Sequence, residues 1–199
     1  MTSRLSALLG RGFLLGLCAM LFACSPEVKF QLTDVTGAEF GKTLELQDHN
    51  GQARNLKQFQ GQVVVVIFGY TQCPDFCPTT LSQMTQVLKE LGSEASKVQV
   101  LFVTVDPERD SPSLLKAYVT AFNPTFLGLW GDAAATLKVT KEFKIVVQKN
   151  PSKGEGYSVD HSSHILILDQ HGRLRLFAPN QTPTKAFVAD LSLLIKNTK

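Results

Sequence analysis

The chain is poor in the residues that usually announce a function. It has one Trp, three Tyr and four Cys in 199 residues, and its formal charge is only +3. Residues 1–23 carry Arg4 and Arg11 and no acid, so the remainder holds 18 basic against 17 acidic side chains. A nearly neutral chain with so few Tyr and Trp lacks the electrostatic footprint of a nucleic-acid binder. No compositional bias points to disorder or fibre, and 44% hydrophobic residues suffice for one domain with a real core. No apolar run reaches the ~20 residues a spanning helix needs. No second Cys/His pair at zinc-ligand spacing exists, which argues against a structural zinc site with four ligands.

What is present begins with the N-terminus. Arg4 and Arg11 precede the apolar stretch 13–23, the n-region and h-region of a secretory signal. Leu21-Phe22-Ala23-Cys24 then resembles a bacterial lipobox, in which cleavage leaves a lipidated Cys24. The plainer alternative is an ordinary signal peptide with a chance cysteine, and either one exports the domain. The expected organisation is therefore a lipoprotein signal over 1–23, a polar tether over 24–41 and a folded domain over 42–199, anchored on the periplasmic side of a bacterial membrane.

Within that domain, Asn50-Gly51 between two short strand-like runs signals an N-terminal β-hairpin. Gln62–Phe68 and Val98–Val105 are β-branched runs of the kind buried on both faces of a parallel sheet. Between them Leu81, Met84, Val87, Leu88 and Leu91 recur at helical spacing from Pro78, placed at the first helical position, to Gly92. Helices are also expected from Ser111-Pro112, from Asp132 to about Phe143, and from about Pro183 to Lys196. Ile145–Gln148 reads as strand-like, Asn150–Ser158 as a loop, and the strands around Gln170-His171-Gly172 as a second hairpin. This order gives an α/β, thioredoxin-like fold with a central mixed sheet flanked by helices.

Cys18 and Cys24 belong to the N-terminal segment, so Cys73 and Cys77 remain, in Gly69-Tyr70-Thr71-Gln72-Cys73-Pro74-Asp75-Phe76-Cys77-Pro78. A disulfide closing so small a loop is a poor staple, which favours a chemical role. The pair falls between a sheet's C-terminal edge and a helix N-terminus, where thiolates are favoured. Three intervening residues, against two in the usual redox motif, let both sulfurs converge on one ion and leave a disulfide open. Two thiolates with an imidazole suit copper better than zinc. His49 and His171 sit beside turn glycines and read as exposed loop residues. His161 and His164, three apart on a strand, face opposite sides, so at most one aims at the cysteines. The residues alone do not decide which.

Phe68–Leu81, Thr104-Val105-Asp106-Pro107-Glu108-Arg109-Asp110 and Val159-Asp160-His161-Ser162 together resemble the Sco/SenC family of copper-binding thioredoxin-like proteins, which serve cytochrome c oxidase assembly. The resemblance spans roughly Thr33 to the C-terminus. It implies that Cys73, Cys77 and His161 bind Cu(I) or Cu(II), with the cysteines able to form a disulfide, and it favours His161 over His164. Asp106 and Asp110 match an acidic pattern, accessory to the site or simply turn and cap residues. The run Ile165-Leu166-Ile167-Leu168 departs from the family in lacking a tyrosine often found there. The implied function is a copper chaperone whose partner is the copper-receiving subunit of a terminal oxidase, with other periplasmic copper carriers or thiol reductants upstream. The alternative is a thiol-disulfide oxidoreductase that reduces the oxidase's cysteines. A peroxidase on the same fold is disfavoured, since Tyr70 and Pro74 stand where a threonine would precede the reactive cysteine.

Overall fold

The computed structural model describes residues 29–151 and 156–197. The strands are β1 (Thr33–Asp34), β2 (Glu45–Asp48), β3 (Ala53–Asn55), β4 (Val63–Gly69), β5 (Val98–Thr104), β6 (Leu127–Trp130), β7 (Val147–Pro151), β8 (Tyr157–His161), β9 (Ile165–Leu168) and β10 (Leu174–Ala178). The α-helices are α1 (Phe76–Leu91), α2 (Pro112–Phe122), α3 (Ala133–Glu142) and α4 (Thr184–Lys196). Among the described residues, eight strands form one sheet in the order β1-β10-β9-β4-β5-β6-β2-β3, while β7 and β8 pair only with each other. β4, β5 and β6 are parallel, and the remaining pairs antiparallel, as a mixed thioredoxin-like sheet requires.

The centre of the sheet is fixed by β4, whose seven residues are all buried. Val63, Val65 and Ile67 face a core layer with Leu81, Met84 and Val87 of α1, Leu115 of α2 and Phe187 and Leu191 of α4. Val64, Val66 and Phe68 face the opposite layer, with Phe59, Val139 and Phe143. Each such side chain contributes about 1.5–3 kcal/mol through burial, so the strand that ends at the cysteine loop is also the strand most firmly held.

Several expectations need correction. The described part of the segment expected as a tether joins the domain. Leu32 is buried, Thr33 pairs with Phe177, and the Gln31 and Leu32 N–H groups donate to the buried Asp190 carboxylate at 2.8 and 2.7 Å. Residues 1–23 and Cys24 lie outside the described residues. The N-terminal hairpin forms with Gly51 at φ +79°, but it also extends the main sheet through Gln47 opposite Trp130. Of the loop expected over Asn150–Ser158, residues 152–155 lie outside the described residues, but its two ends are strand: β7, which takes in Val147 and Gln148 of the expected strand, and β8 form an antiparallel ribbon with Val147 opposite His161 and Pro151 opposite Tyr157. Its polar sequence hid it, because a ribbon outside the main sheet has little apolar surface to alternate. His49 is buried rather than exposed, and its Nδ1 accepts the Gly128 N–H at 3.1 Å.

Candidate metal centre

The cysteine loop leaves β4 at Gly69. A Cβ there would lie 2.5 Å from Cys77 Sγ and 2.8 Å from the Phe102 ring, so only glycine lets the sulfur sit against the strand. α1 begins at Phe76, earlier than the proline signalled, with Cys77 in its first turn. Pro78 is thus the third helical residue, and its missing N–H still costs nothing because the first turn's donors have no intrahelical partner. Cys77 is fully buried, whereas Cys73 is half-buried, and both thiols are free.

The histidine comes from the ribbon. His161 ends β8 and packs edge-on against Tyr70 and Phe76, each with ring centroids 6.0 Å away. Its Nδ1 lies 2.9 Å from the Ser162 carbonyl oxygen. A carbonyl can only accept, so Nδ1 carries the proton and Nε2 is the ring atom left to meet a metal. His164 instead packs on Phe177 at 4.6 Å, which settles the choice the strand spacing left open.

Cys73, Cys77 and His161 each present one ligand atom, and these lie within 4.8 Å of one another, forming the one such group of His, Cys and acidic residues among the described residues. Bonds of ~2.0–2.3 Å, as imidazole and thiolate make to zinc, put the ligands of one three-coordinate ion about 3.7–4.0 Å apart. Closing the group from within 4.8 Å to that spacing takes an inward adjustment of about 1 Å or less. Three donors, two of them soft sulfurs, fit a three-coordinate soft ion better than a tetrahedral one.

The thiols are electrostatically unequal. Cys73 is held down at about 5, chiefly by the hydrogen bond from the Cys77 thiol, with help from the Cys77 and Asp75 N–H groups and the His161 ring. Cys77 is pushed up by giving that hydrogen bond, by burial and by the neighbouring thiolate. The metal-free pair is thus one thiolate and one thiol, with Cys73 the accessible nucleophile.

Neither Asp106 nor Asp110 is in the ligand group; both are fully buried and hydrogen-bonded. Asp110 accepts from the Thr71 N–H at 3.1 Å, the Thr71 hydroxyl at 2.6 Å and the Thr104 hydroxyl at 2.6 Å. Asp106 pairs with Arg109 and accepts the Tyr157 hydroxyl at 2.7 Å. Tyr157 and Arg109 went unnoticed as site residues in the sequence, since neither is a ligand and 48 residues separate them.

The sequence profile described as SCO1/SenC matches residues 32–196. The SCO2-like protein of Rickettsia felis is 34% identical over 148 residues, covering 73% of this chain and 72% of that one. The copper-bound structure of Bradyrhizobium japonicum ScoI is 37% identical, with a TM-score of 0.72 over 78% of this chain and 99% of that one. Apo Sco1 of Thermus thermophilus is 36% identical, with a TM-score of 0.75 over 83% and 97%. With a profile match across nearly the whole described fold and two cysteines and a histidine converging at its edge, the chain belongs to the SCO1/SenC family.

Proposed function

We propose that the protein is a copper chaperone that holds one copper ion between Cys73, Cys77 and His161. It passes the ion to the dinuclear copper site of a cytochrome c oxidase. The observation that carries this reading is the convergence of the three ligand atoms within 4.8 Å from two separate parts of the chain. It is supported by family membership and by copper in the related Bradyrhizobium ScoI structure. On binding, Cys77 loses its proton and joins the Cys73 thiolate, while His161 supplies a neutral nitrogen. Cys73, half-buried and the more accessible of the two sulfurs, is where a receiving thiolate first displaces a ligand. Transfer of two electrons from the metal-free pair to a partner disulfide, with loss of the one remaining thiol proton, joins the sulfurs and leaves no thiolate for the metal.

The test is anaerobic titration of the reduced protein with Cu(I), followed by incubation with a reduced, metal-free oxidase copper domain. One equivalent should bind and then appear in the acceptor. Absence of stoichiometric binding refutes the reading.

A second reading rests on the inequality of the thiols. An accessible thiolate beside a buried thiol can attack a disulfide and then be released by the second sulfur. This chemistry would reduce the oxidase's cysteines before copper arrives, and it needs no histidine. The finer localisation is also part of the proposal: cleavage before Cys24 and its lipidation would anchor the domain on the periplasmic side, a reading supported by the two arginines followed by an apolar stretch within residues 1–23.

A further inference from the structure

The three ligand atoms come from elements that do not pair with each other. Cys73 and Cys77 lie on the loop and helix after β4, in the main sheet, whereas His161 ends a ribbon that forms a sheet of its own. Something must set their separation, and the segment Asp106–Asp110, between β5 and α2, contacts both sides. Toward the cysteines, Asp110 takes the Thr71 N–H and hydroxyl, two residues before Cys73, and Arg109 Nη1 donates to Gln72 Oε1 at 3.1 Å, one residue before it. Toward the histidine, Asp106 takes the Tyr157 hydroxyl at 2.7 Å, and the same Arg109 Nη1 donates to the Tyr157 carbonyl at 2.9 Å. The Arg109 guanidinium also stacks 3.9 Å over the Tyr157 ring. The two arms are joined internally, because the Thr104 hydroxyl donates to Asp110 and accepts the Asp106 N–H.

We infer that Asp106, Arg109 and Asp110 are positioning residues for copper: a five-residue brace that holds the histidine ribbon against the cysteine loop at ligand spacing without touching the ion. The carboxylates are buried and already spent on hydrogen bonds, so they act through geometry and not as ligands. Their bonds are charge-assisted, the stronger kind. The arms are separable. Asp110 with Thr71 fixes the sulfurs; Asp106 with Tyr157 fixes the imidazole.

This inference rests on the copper reading, and its test separates the two. Tyr157→Phe keeps the ring beneath Arg109 and removes only the hydroxyl; Thr71→Val removes only the hydroxyl donor to Asp110. Cu(I) and Cu(II) affinities by chelator competition, the visible spectrum of the Cu(II) form, and hydrogen–deuterium exchange of the metal-free ribbon are measured for both. Tyr157→Phe should weaken Cu(II) about tenfold, the worth of one hydrogen bond to a charged acceptor. It should also shift the thiolate-to-copper absorption and speed amide exchange over β7 and β8, while Cu(I), held mainly by two thiolates, stays within about twofold. Thr71→Val should weaken both oxidation states and leave ribbon exchange unchanged. Parental Cu(II) affinity, spectrum and exchange in Tyr157→Phe would overturn the brace, and so would an equal loss of Cu(I) and Cu(II) affinity in that variant. A parent protein that binds no copper would instead defeat the copper reading, and exchange in the metal-free protein would still decide on the brace.

Discussion

The cysteine half and the histidine half of the site are built differently. Cys77 is welded into the core: its sulfur lies where a Gly69 side chain would be, beneath a helix whose apolar face is buried against the main sheet. His161 stands on a two-stranded ribbon, half-buried, and held by polar bonds and two aromatic edges. Apolar burial makes the first half hard to move, while hydrogen bonds worth about 0.5–1.5 kcal/mol each make the second half adjustable. A carrier needs both properties. A rigid thiolate pair keeps the ion, and a ligand on a looser element can be withdrawn or exchanged when a receiver arrives.

The largest effect should come from breaking the rigid half. Cys77→Ser should abolish Cu(I) binding, because a hydroxyl there offers neither a thiolate nor a soft donor; chelator competition reads this directly. Removing the adjustable half should do less. His161→Ala should cost Cu(II) more than the roughly 10–100-fold typical of losing a ligand's supporting partner, yet leave reduction of a small disulfide unchanged. Equal losses of copper binding and reductase activity would erase the distinction between the halves. Smaller again is the packing test at Gly69. Gly69→Ala forces its methyl onto Cys77 Sγ and Phe102 and should destabilise the fold by about 1–3 kcal/mol, read by urea denaturation.

The last contrast is within the cysteine half itself. Alkylation of the reduced, metal-free protein should modify Cys73 first, at a rate that stays on its plateau from neutral pH down to about 5. Below that the thiolate is protonated, and the rate should fall about tenfold per pH unit. Cys77, whose thiol is pushed up, should react only after Cys73 or on unfolding. Mass spectrometry of the labelled peptides distinguishes the two.

The cysteine half was legible in the sequence because it obeys local rules. A continuous β-branched run, a glycine, two spaced cysteines and a helical repeat can each be read within a few residues. The histidine half was not. The periodicity that would announce β7 and β8 is absent, since of β8 only Val159 is buried. Spacing alone left His161 and His164 undecided, and only the family resemblance separated them before the contacts with Phe177 and Tyr70 did. The brace was least legible of all. Asp106 and Asp110 stood out as acidic residues, but their partners Thr71 and Tyr157 are 39 and 51 residues away, and nothing in either sequence neighbourhood marks the pairing. The segment before residue 42 was read as tether because its anchor is a buried aspartate, Asp190, on the last helix.

The central claim is that one ion is shared between the two halves. X-ray absorption at the copper edge of the anaerobic, Cu(I)-loaded protein tests it most directly. The account predicts a first shell of two sulfurs and one nitrogen, with the nitrogen contribution lost in His161→Ala and the sulfurs retained. A shell of sulfur alone, unchanged by that substitution, would contradict it.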